Sequence, residues 1–382
     1  MKQSRFIMLS AVVAFSALLV LGCSTPAVAQ QTVVNRVTSE AETFNVVRLA
    51  SGLDEPWGID FLPNGDALIT ERSGGLLRYS AGDLSRIDGV PTVAPTGQGG
   101  LLDVLVSRDF DRTGRIFLSY SGRYGGGTGT SVARGRLTGN RLAEVETIFR
   151  MTNPTGSGQH FGSRMVQLPD GSVVFSIGDR GARDRAQDLT DHAGSFIRIA
   201  PDGSVPGDNP FVDRREALPE IYAYGTRNAQ GLTIHPETGE IWSHEHGPQG
   251  GDEINVVEAG RNYGWPEISY GEEYGGGTIG PTEAPGMEQP ITYWVPSIAP
   301  SGMDFYNGDA FPGWKGNLFV GALRGRHLRR VVLDGTEVVS EELIRLTDSP
   351  QRVRDVKQGP DGYLWILIDE SNAPLYRLEP AR

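Results

Sequence analysis

Six times along this chain a turn built on glycine leads into a strand of β-branched and aromatic residues, and no other feature constrains the fold as strongly. The copies are FLPNGDALITER (61–72), DRTGRIFLSYSG (111–122), LPDGSVVFSIGDRG (168–181), HPETGEIWSHEHGP (235–248), GWKGNLFVGALRG (313–325) and GPDGYLWILIDES (359–371). Asn-Gly and Asp-Gly ahead of alternating apolar residues are strong hairpin signals. The turn glycines Gly65, Gly114, Gly171, Gly239, Gly316 and Gly362 are roughly 46 to 77 residues apart, within reach of a propeller-blade period once loops are inserted. A seventh turn, IAPDGSVPGD (199–208), is excluded because Pro206 follows too soon for a strand. Six such units predict an all-β, six-bladed β-propeller, whose radial repetition protects the sheet edges. The alternative is a large β-sandwich with coincidental turns. The segment NVVRLASGLDEPWGIDF (45–61) is expected to supply the strand that closes the ring.

Composition agrees with many short strands. The 382 residues include 51 glycines and 24 prolines, and no stretch after residue 30 keeps a helical period. The start is different in kind. Lys2 and Arg5 precede the apolar run FIMLSAVVAFSALLVL, which is short for a spanning helix and suited to a signal-peptide core. Ala27-Val28-Ala29 offers a cleavage site for a soluble exported protein, whereas LVLGC, ending at Cys23, resembles a lipobox. Valine rather than leucine three residues before the cysteine favours simple cleavage. Residues 1–29 are therefore expected to be a signal peptide, 30–44 a flexible linker and 45–382 the propeller. The mature protein is expected to be exported, periplasmic or extracellular, and membrane-anchored only if Cys23 is lipidated.

Cys23 is the only cysteine, so there is no disulfide framework and no thiolate metal site. The formal charge of −12 becomes −14 once the two N-terminal cations leave. A protein this acidic is a poor partner for nucleic acid or an anionic membrane surface.

The repeat also orients the molecule. In every unit the strand after the turn ends in a polar tail: Glu71-Arg72, Tyr120, Asp179-Arg180, His244-Glu245-His246, Arg324 and Asp369. Equivalent strands run the same way, so the tails are expected at one mouth of the central channel. His160 stands in the glycine-rich loop GSGQHFG, where small neighbours permit close approach of a ligand. Asp179 is placed to hold its imidazole as in a base–orienter pair; the plainer alternative is a surface histidine. Arg227 and Asn228 precede a strand, and Arg352 and Arg354 are two apart, on one face of a strand. With Arg324, these arginines suit a ligand bearing several carboxylates or phosphates, or else they are solvated strand ends. In HEHGPQGGDEIN, His244 and His246 lack an evident third zinc ligand. The backbone carbonyls around Gly247 and Pro248, with Asp252 and Glu253, make an oxygen-rich environment suited to calcium. A plain acidic loop is the competing reading.

These motifs together resemble one family. GQGGLLDV, HFGSR, IGDRG, YGTRNAQG, HGPQGGDEIN, NYGWP and SIAPSGM, in this order and spacing, are similar to the soluble pyrroloquinoline quinone (PQQ)-dependent sugar dehydrogenases, the glucose/sorbosone dehydrogenase group. The resemblance covers nearly the whole mature chain and is greatest to bacterial aldose sugar dehydrogenases. It implies a six-bladed propeller, PQQ and Ca2+ as cofactors, and oxidation of an aldose at C1 to the lactone. It implies His160 as general base, Asp179 as its orienting partner, and Arg227 as the group that stabilises negative charge on the cofactor. Gln98, Asn228, Tyr274, Arg324, Arg352 and Arg354 match cofactor-holding positions. One calcium would use the carbonyls of Gly247 and Pro248, and a second would use Glu253 and the neighbourhood of Tyr263. Electrons would leave to an external acceptor, a quinone or a cytochrome, since no C-x-x-C-H haem motif is present.

Two departures bear on specificity. Arg324 stands where relatives carry lysine, and Gln159 where the glucose-specific enzymes carry an aspartate. With the short loops 123–130 and 274–286, these imply use of a range of aldoses. Two other classes compete with the oxidoreductase: a calcium-dependent lactonase or esterase on the same fold, and a non-catalytic exported propeller that binds a partner.

Overall fold

Each glycine turn opens the second strand of an antiparallel sheet, and all six turn glycines adopt φ between +65° and +89°, a region other residues enter only with strain. Five of the six second strands, Ala67–Glu71, Val173–Ile177, Ile241–Glu245, Leu318–Ala322 and Leu364–Ile368, are buried at every residue. Burial on both faces explains why they read as continuous apolar runs rather than as alternating ones. In a computed structural model, which describes residues 30–381, six sheets stand around one axis. The signal-peptide and lipobox readings lie outside the described residues. Among the described residues no helix is long and apolar enough to cross a membrane.

The innermost strands of blades one to six are Pro56–Phe61, Leu101–Val106, Met165–Gln167, Ala229–Ile234, Pro300–Phe305 and Val353–Gln358. Each touches the next, and the sixth touches the first. Blade six is completed from both ends of the chain: Ala373–Pro380 pairs with Leu364–Ile368 on one side and with Thr43–Leu53 on the other. The expected closing segment 45–61 is thus two elements. Its first part, within Thr43–Leu53, closes the ring, and Pro56–Phe61 turns the corner at Asp54-Glu55 to open blade one.

The linker expected over residues 30–44 is also corrected. Gln31–Thr38 pairs with Thr43–Leu53, from Gln31 opposite Arg48 to Thr38 opposite Thr43, and gives blade six a fifth strand. Its run of valines packs against the core shared by blades five, six and one. The hairpin corner is pinned to blade five by Glu40 to Arg330 at 3.0 Å and by Glu42 accepting the Gly313 N–H at 2.6 Å.

The axis holds charge rather than hydrocarbon. Arg164, buried at the entry to blade three, donates through Nη1 to Asp103 of blade two at 3.0 Å and to Asp355 of blade six at 2.9 Å. Its Nε donates to the Gln230 carbonyl of blade four at 3.1 Å, and its guanidinium lies 4.2 Å over Trp57 of blade one. Asp355 also accepts the Ile59 N–H of blade one at 3.1 Å. Burial pushes the Asp103 carboxyl up to about 6, although Arg164 pulls the other way. Gly302 completes the ring in blade five, because a Cβ there would fall 1.6 Å from Asp355 Oδ1.

Removing one partner of a buried ion cluster strands the others. Arg164→Met is expected to cost about 3–5 kcal/mol of stability in chemical denaturation at pH 8. The loss should shrink at pH 5, because Asp103 and Asp355 then take up protons in place of the missing cation. An equal loss at both values, or none, would contradict this role.

Candidate active site

His160 and Asp179 meet because two glycine-rich loops approach without side chains between them. A Cβ on Gly178 would lie 2.4 Å from the His160 carbonyl, so IGDRG needs glycine there. His160 has φ +51°, and its backbone N–H is held by Gln98 Oε1 at 2.8 Å. Its Nδ1 faces Asp179 Oδ1 at 2.6 Å. The same oxygen accepts the Gly181 N–H at 2.7 Å, and Oδ2 accepts the Trp265 indole N–H at 2.9 Å. Burial raises the Asp179 carboxyl, but the hydrogen bond and charge of His160, the Gly181 N–H and Arg227 outweigh it and hold the group below its ordinary value. With Asp179 ionised, Nδ1 is the donor, and in the neutral ring the lone pair lies on Nε2.

Arg227 starts beside this pair. Its backbone N–H reaches the Glu245 carboxylate. Its Nη1 donates to the carbonyls of His246 and Gly247 at 3.1 and 3.2 Å, and Nη2 to the Tyr274 hydroxyl at 3.0 Å. Asn228 Oδ1 accepts the Gly162 N–H at 3.1 Å, which aims the amide. Its Nδ2 is buried without a partner.

At the same mouth is a cavity of about 430 Å³, lined by Trp57, Arg72, Gln98, Gln230, His246, Arg352, Arg354 and Asp369 among others. Asp369 Oδ2 accepts Arg352 Nε and Nη2 at 2.9 and 2.6 Å, and Oδ1 lies 3.2 Å from Arg354 Nη2. Two guanidiniums on one carboxylate leave a positive charge over. Arg354 Nη1 donates to Gln230 Oε1 at 3.0 Å, while its Nε is buried without a partner. The chemistry of this set suits an anion with more than one carboxylate.

The expected gathering of polar tails therefore holds for Arg72, Asp179, His246 and Asp369, with two exceptions. The Tyr120 hydroxyl pairs with that of Thr147 at 2.8 Å inside blade two, because its strand continues to Tyr124 and turns the ring outward. Arg324 is exposed on the turn after Leu318–Ala322 and does not line the cavity, whereas its neighbour Leu323 does. Tyr274 is 71% exposed and touches the site only through Arg227.

In the loop 244–253 the histidines are structural, and the place given to Asp252 is corrected. Both histidine rings point at blade five, His244 Nε2 at the Ser301 carbonyl and His246 Nε2 at that of Pro300. They fasten two blades together. Asp252 spends both oxygens on the chain itself: Oδ1 on the Gly247 N–H and the Ser297 hydroxyl, both at 2.9 Å, and Oδ2 on the N–H groups of Ile298 and Ala299 at 2.7 and 3.0 Å. It shapes the loop and is not available as a metal ligand. The Tyr263 hydroxyl is likewise spent, donating to the Val256 carbonyl at 2.6 Å and accepting the Glu258 N–H at 2.9 Å.

Sequence reasoning missed Glu245 as Glu253's partner. The two are paired across adjacent strands, and with Gly247, Gly251 and Tyr263 they line a void of about 10 Å³. Burial pushes Glu245 up, and Glu253 to about 7. The signal was present in the hairpin itself: acids flanking GPQGG meet when the strands pair. Trp57, Gln230 and Trp265 gave no comparable signal, since each is set by packing between blades.

The family model described as Glucose / Sorbosone dehydrogenase matches residues 53–377. The chain is 43% identical over 348 residues to the aldose sugar dehydrogenase YliI of Escherichia coli, covering 88% of this chain and 93% of that one. It is 25% identical to quinoprotein glucose dehydrogenase B of Acinetobacter calcoaceticus, over 87% and 86% of the two chains. The apo crystal structure of the soluble E. coli aldose sugar dehydrogenase superposes with a TM-score of 0.86, over 88% of this chain and all of the other. The PQQ-bound aldose sugar dehydrogenase of Streptomyces coelicolor gives 0.72 at 28% identity, over 87% and 96% of the two chains. Matched along most of its length in sequence and in fold, this chain belongs to the glucose/sorbosone dehydrogenase family.

Proposed function

We propose that this protein oxidises aldose sugars at C1 to the lactone, with PQQ and calcium as cofactors. The observation that carries the reading is a buried His160–Asp179 pair beside a mouth whose arginines outnumber their carboxylate. The unpartnered Asn228 Nδ2 and Arg354 Nε support a polar ligand there, since buried donors are rarely left unpaired. Arg352, Arg354 and Gln98 would hold the carboxylates of PQQ, with Arg227 and Asn228 beside its quinone. The Gly247 and Pro248 carbonyls would hold the calcium. The Glu245–Glu253 pair suits a second calcium, which would relieve the cost of two carboxylates buried side by side.

Bound there, PQQ with its calcium would supply the acceptor for the hydride of the sugar C1. The protein's own groups do the rest. His160 Nε2 takes the proton of the anomeric hydroxyl, and ionised Asp179 stabilises the imidazolium that forms. Arg227 places positive charge where negative charge develops, a preorganised electrostatic role. An external acceptor then takes the electrons. Gln159 ahead of the base, in place of an aspartate, supports use of several aldoses. The basic start and apolar run before residue 30 support export.

Two outcomes are expected. Dye reduction by purified protein with a panel of aldoses should need both PQQ and calcium. His160→Gln should lower kcat by about 10²–10⁴-fold and leave the PQQ Kd nearly unchanged. Protein that neither binds PQQ on titration nor oxidises any aldose, but hydrolyses lactones, would replace this reading with a calcium hydrolase. Separately, calcium should raise the Tm of the wild type, and Glu253→Gln should remove most of that rise; an undiminished rise would reject the Glu245–Glu253 site.

A further inference from the structure

Asp179 has three hydrogen-bond partners, and two of them can only donate. The Gly181 N–H reaches Oδ1 at 2.7 Å and the Trp265 indole N–H reaches Oδ2 at 2.9 Å. The third is His160 Nδ1. Neither a backbone N–H nor an indole N–H can accept a proton. A serine or glutamine against Oδ2 could turn round and accept from a protonated Asp179; an indole cannot. We propose that Trp265 is a positioning residue for His160: its N–H, with that of Gly181, stabilises the ionised, accepting form of Asp179 and fixes its plane, and so favours the neutral ring that donates from Nδ1 and carries its lone pair on Nε2. The consequence for turnover rests on the sugar-oxidation reading; the consequence for the His160 tautomer does not.

The indole is built to hold this place. Its residue is 6% exposed. The Trp265 N–H donates to the Gly225 carbonyl at 2.8 Å, and its own carbonyl accepts Gln187 Nε2 at 2.7 Å. Asn262 Oδ1 accepts the Gly264 N–H at 2.9 Å, fixing the turn that delivers the ring, and Gly264 has φ +85°. The guanidiniums of Arg227 and Arg183 lie 5.5 and 5.4 Å from the ring centroid, so the ring also spaces two cations beside the carboxylate. Among the described residues no other group hydrogen-bonds Oδ2. Without the indole, the carboxylate is held only through Oδ1, its broad terminal torsion is less constrained, and the direction of the imidazole is less fixed.

Trp265→Phe keeps an aromatic ring under the cations and removes the N–H together with the pyrrole half of the indole, so the tautomer rather than kcat is the deciding readout. The test uses protein labelled with 15N at histidine, as purified and without added cofactor. Two-bond proton–nitrogen spectra then read the tautomer of each ring, with His160 assigned by its absence in His160→Gln. The expected result is one Nδ1–H tautomer for His160 in the wild type and a substantial Nε2–H fraction in Trp265→Phe. In PQQ-loaded protein kcat should fall about tenfold, with KM and the PQQ Kd within twofold of wild type. An unchanged His160 tautomer in Trp265→Phe overturns the proposal whatever happens to kcat. Should that variant not fold, the wild type carries the test: one indole N–H resonance must follow the His160 titration and lose that dependence in His160→Gln, and its absence is equally decisive. Wild type that oxidises no sugar would sink the dehydrogenase reading and leave the tautomer comparison standing.

Discussion

One guanidinium holds the centre of this ring. Arg164 reaches blades one, two, four and six from the entry to blade three, through Trp57, Asp103, Gln230 and Asp355. A propeller needs its blades tied at the axis, where the inner strands converge but are not hydrogen-bonded to one another. Apolar side chains would tie them without direction. A buried charge cluster ties them only in one arrangement, because each carboxylate placed out of reach of its cation is costly. Gly58 and Gly302 belong to the same device: a side chain at either would collide with Asp103 or Asp355.

The mouth inherits its geometry from that centre. Gln230 gives its carbonyl to Arg164 and its side-chain oxygen to Arg354. The arginine that faces the cavity is therefore aligned, through one residue, with the arginine that ties the blades. Asp369 then sets Arg352 against Arg354. On the other side of the mouth, the loop carrying Gly247 is shaped by Asp252 and anchored by histidines that reach blade five. A rigid scaffold with its functional groups on loops between blades is the usual division of labour. Here the joints between blades also fix the cavity-facing groups.

The blades were legible because glycine turns and apolar second strands are local signals, and six of them survive irregular loops. His160, Asp179 and Arg227 were legible for a related reason: each follows or precedes a recognisable strand. The failures have a common cause. Gln31–Thr38 looked like linker because its partner strand is built for the far end of the chain. Asp252 looked like a ligand because a sequence shows a carboxylate but not the four donors that already occupy it. Glu245, Trp265 and Gln230 acquire their roles only when blades meet.

Blade six joins residues 43–53 to residues 373–380, so no continuous part of the chain shorter than nearly all of it contains a closed ring. A growing chain that has not reached residue 353 has five blades at most, and its axis lacks Asp355. The contact that closes the ring is also among those with the greatest separation along the sequence, where loop-closure entropy is largest. Topology of this kind folds slowly, and it makes the final strand a checkpoint: the molecule becomes a propeller only once its C-terminal end has arrived.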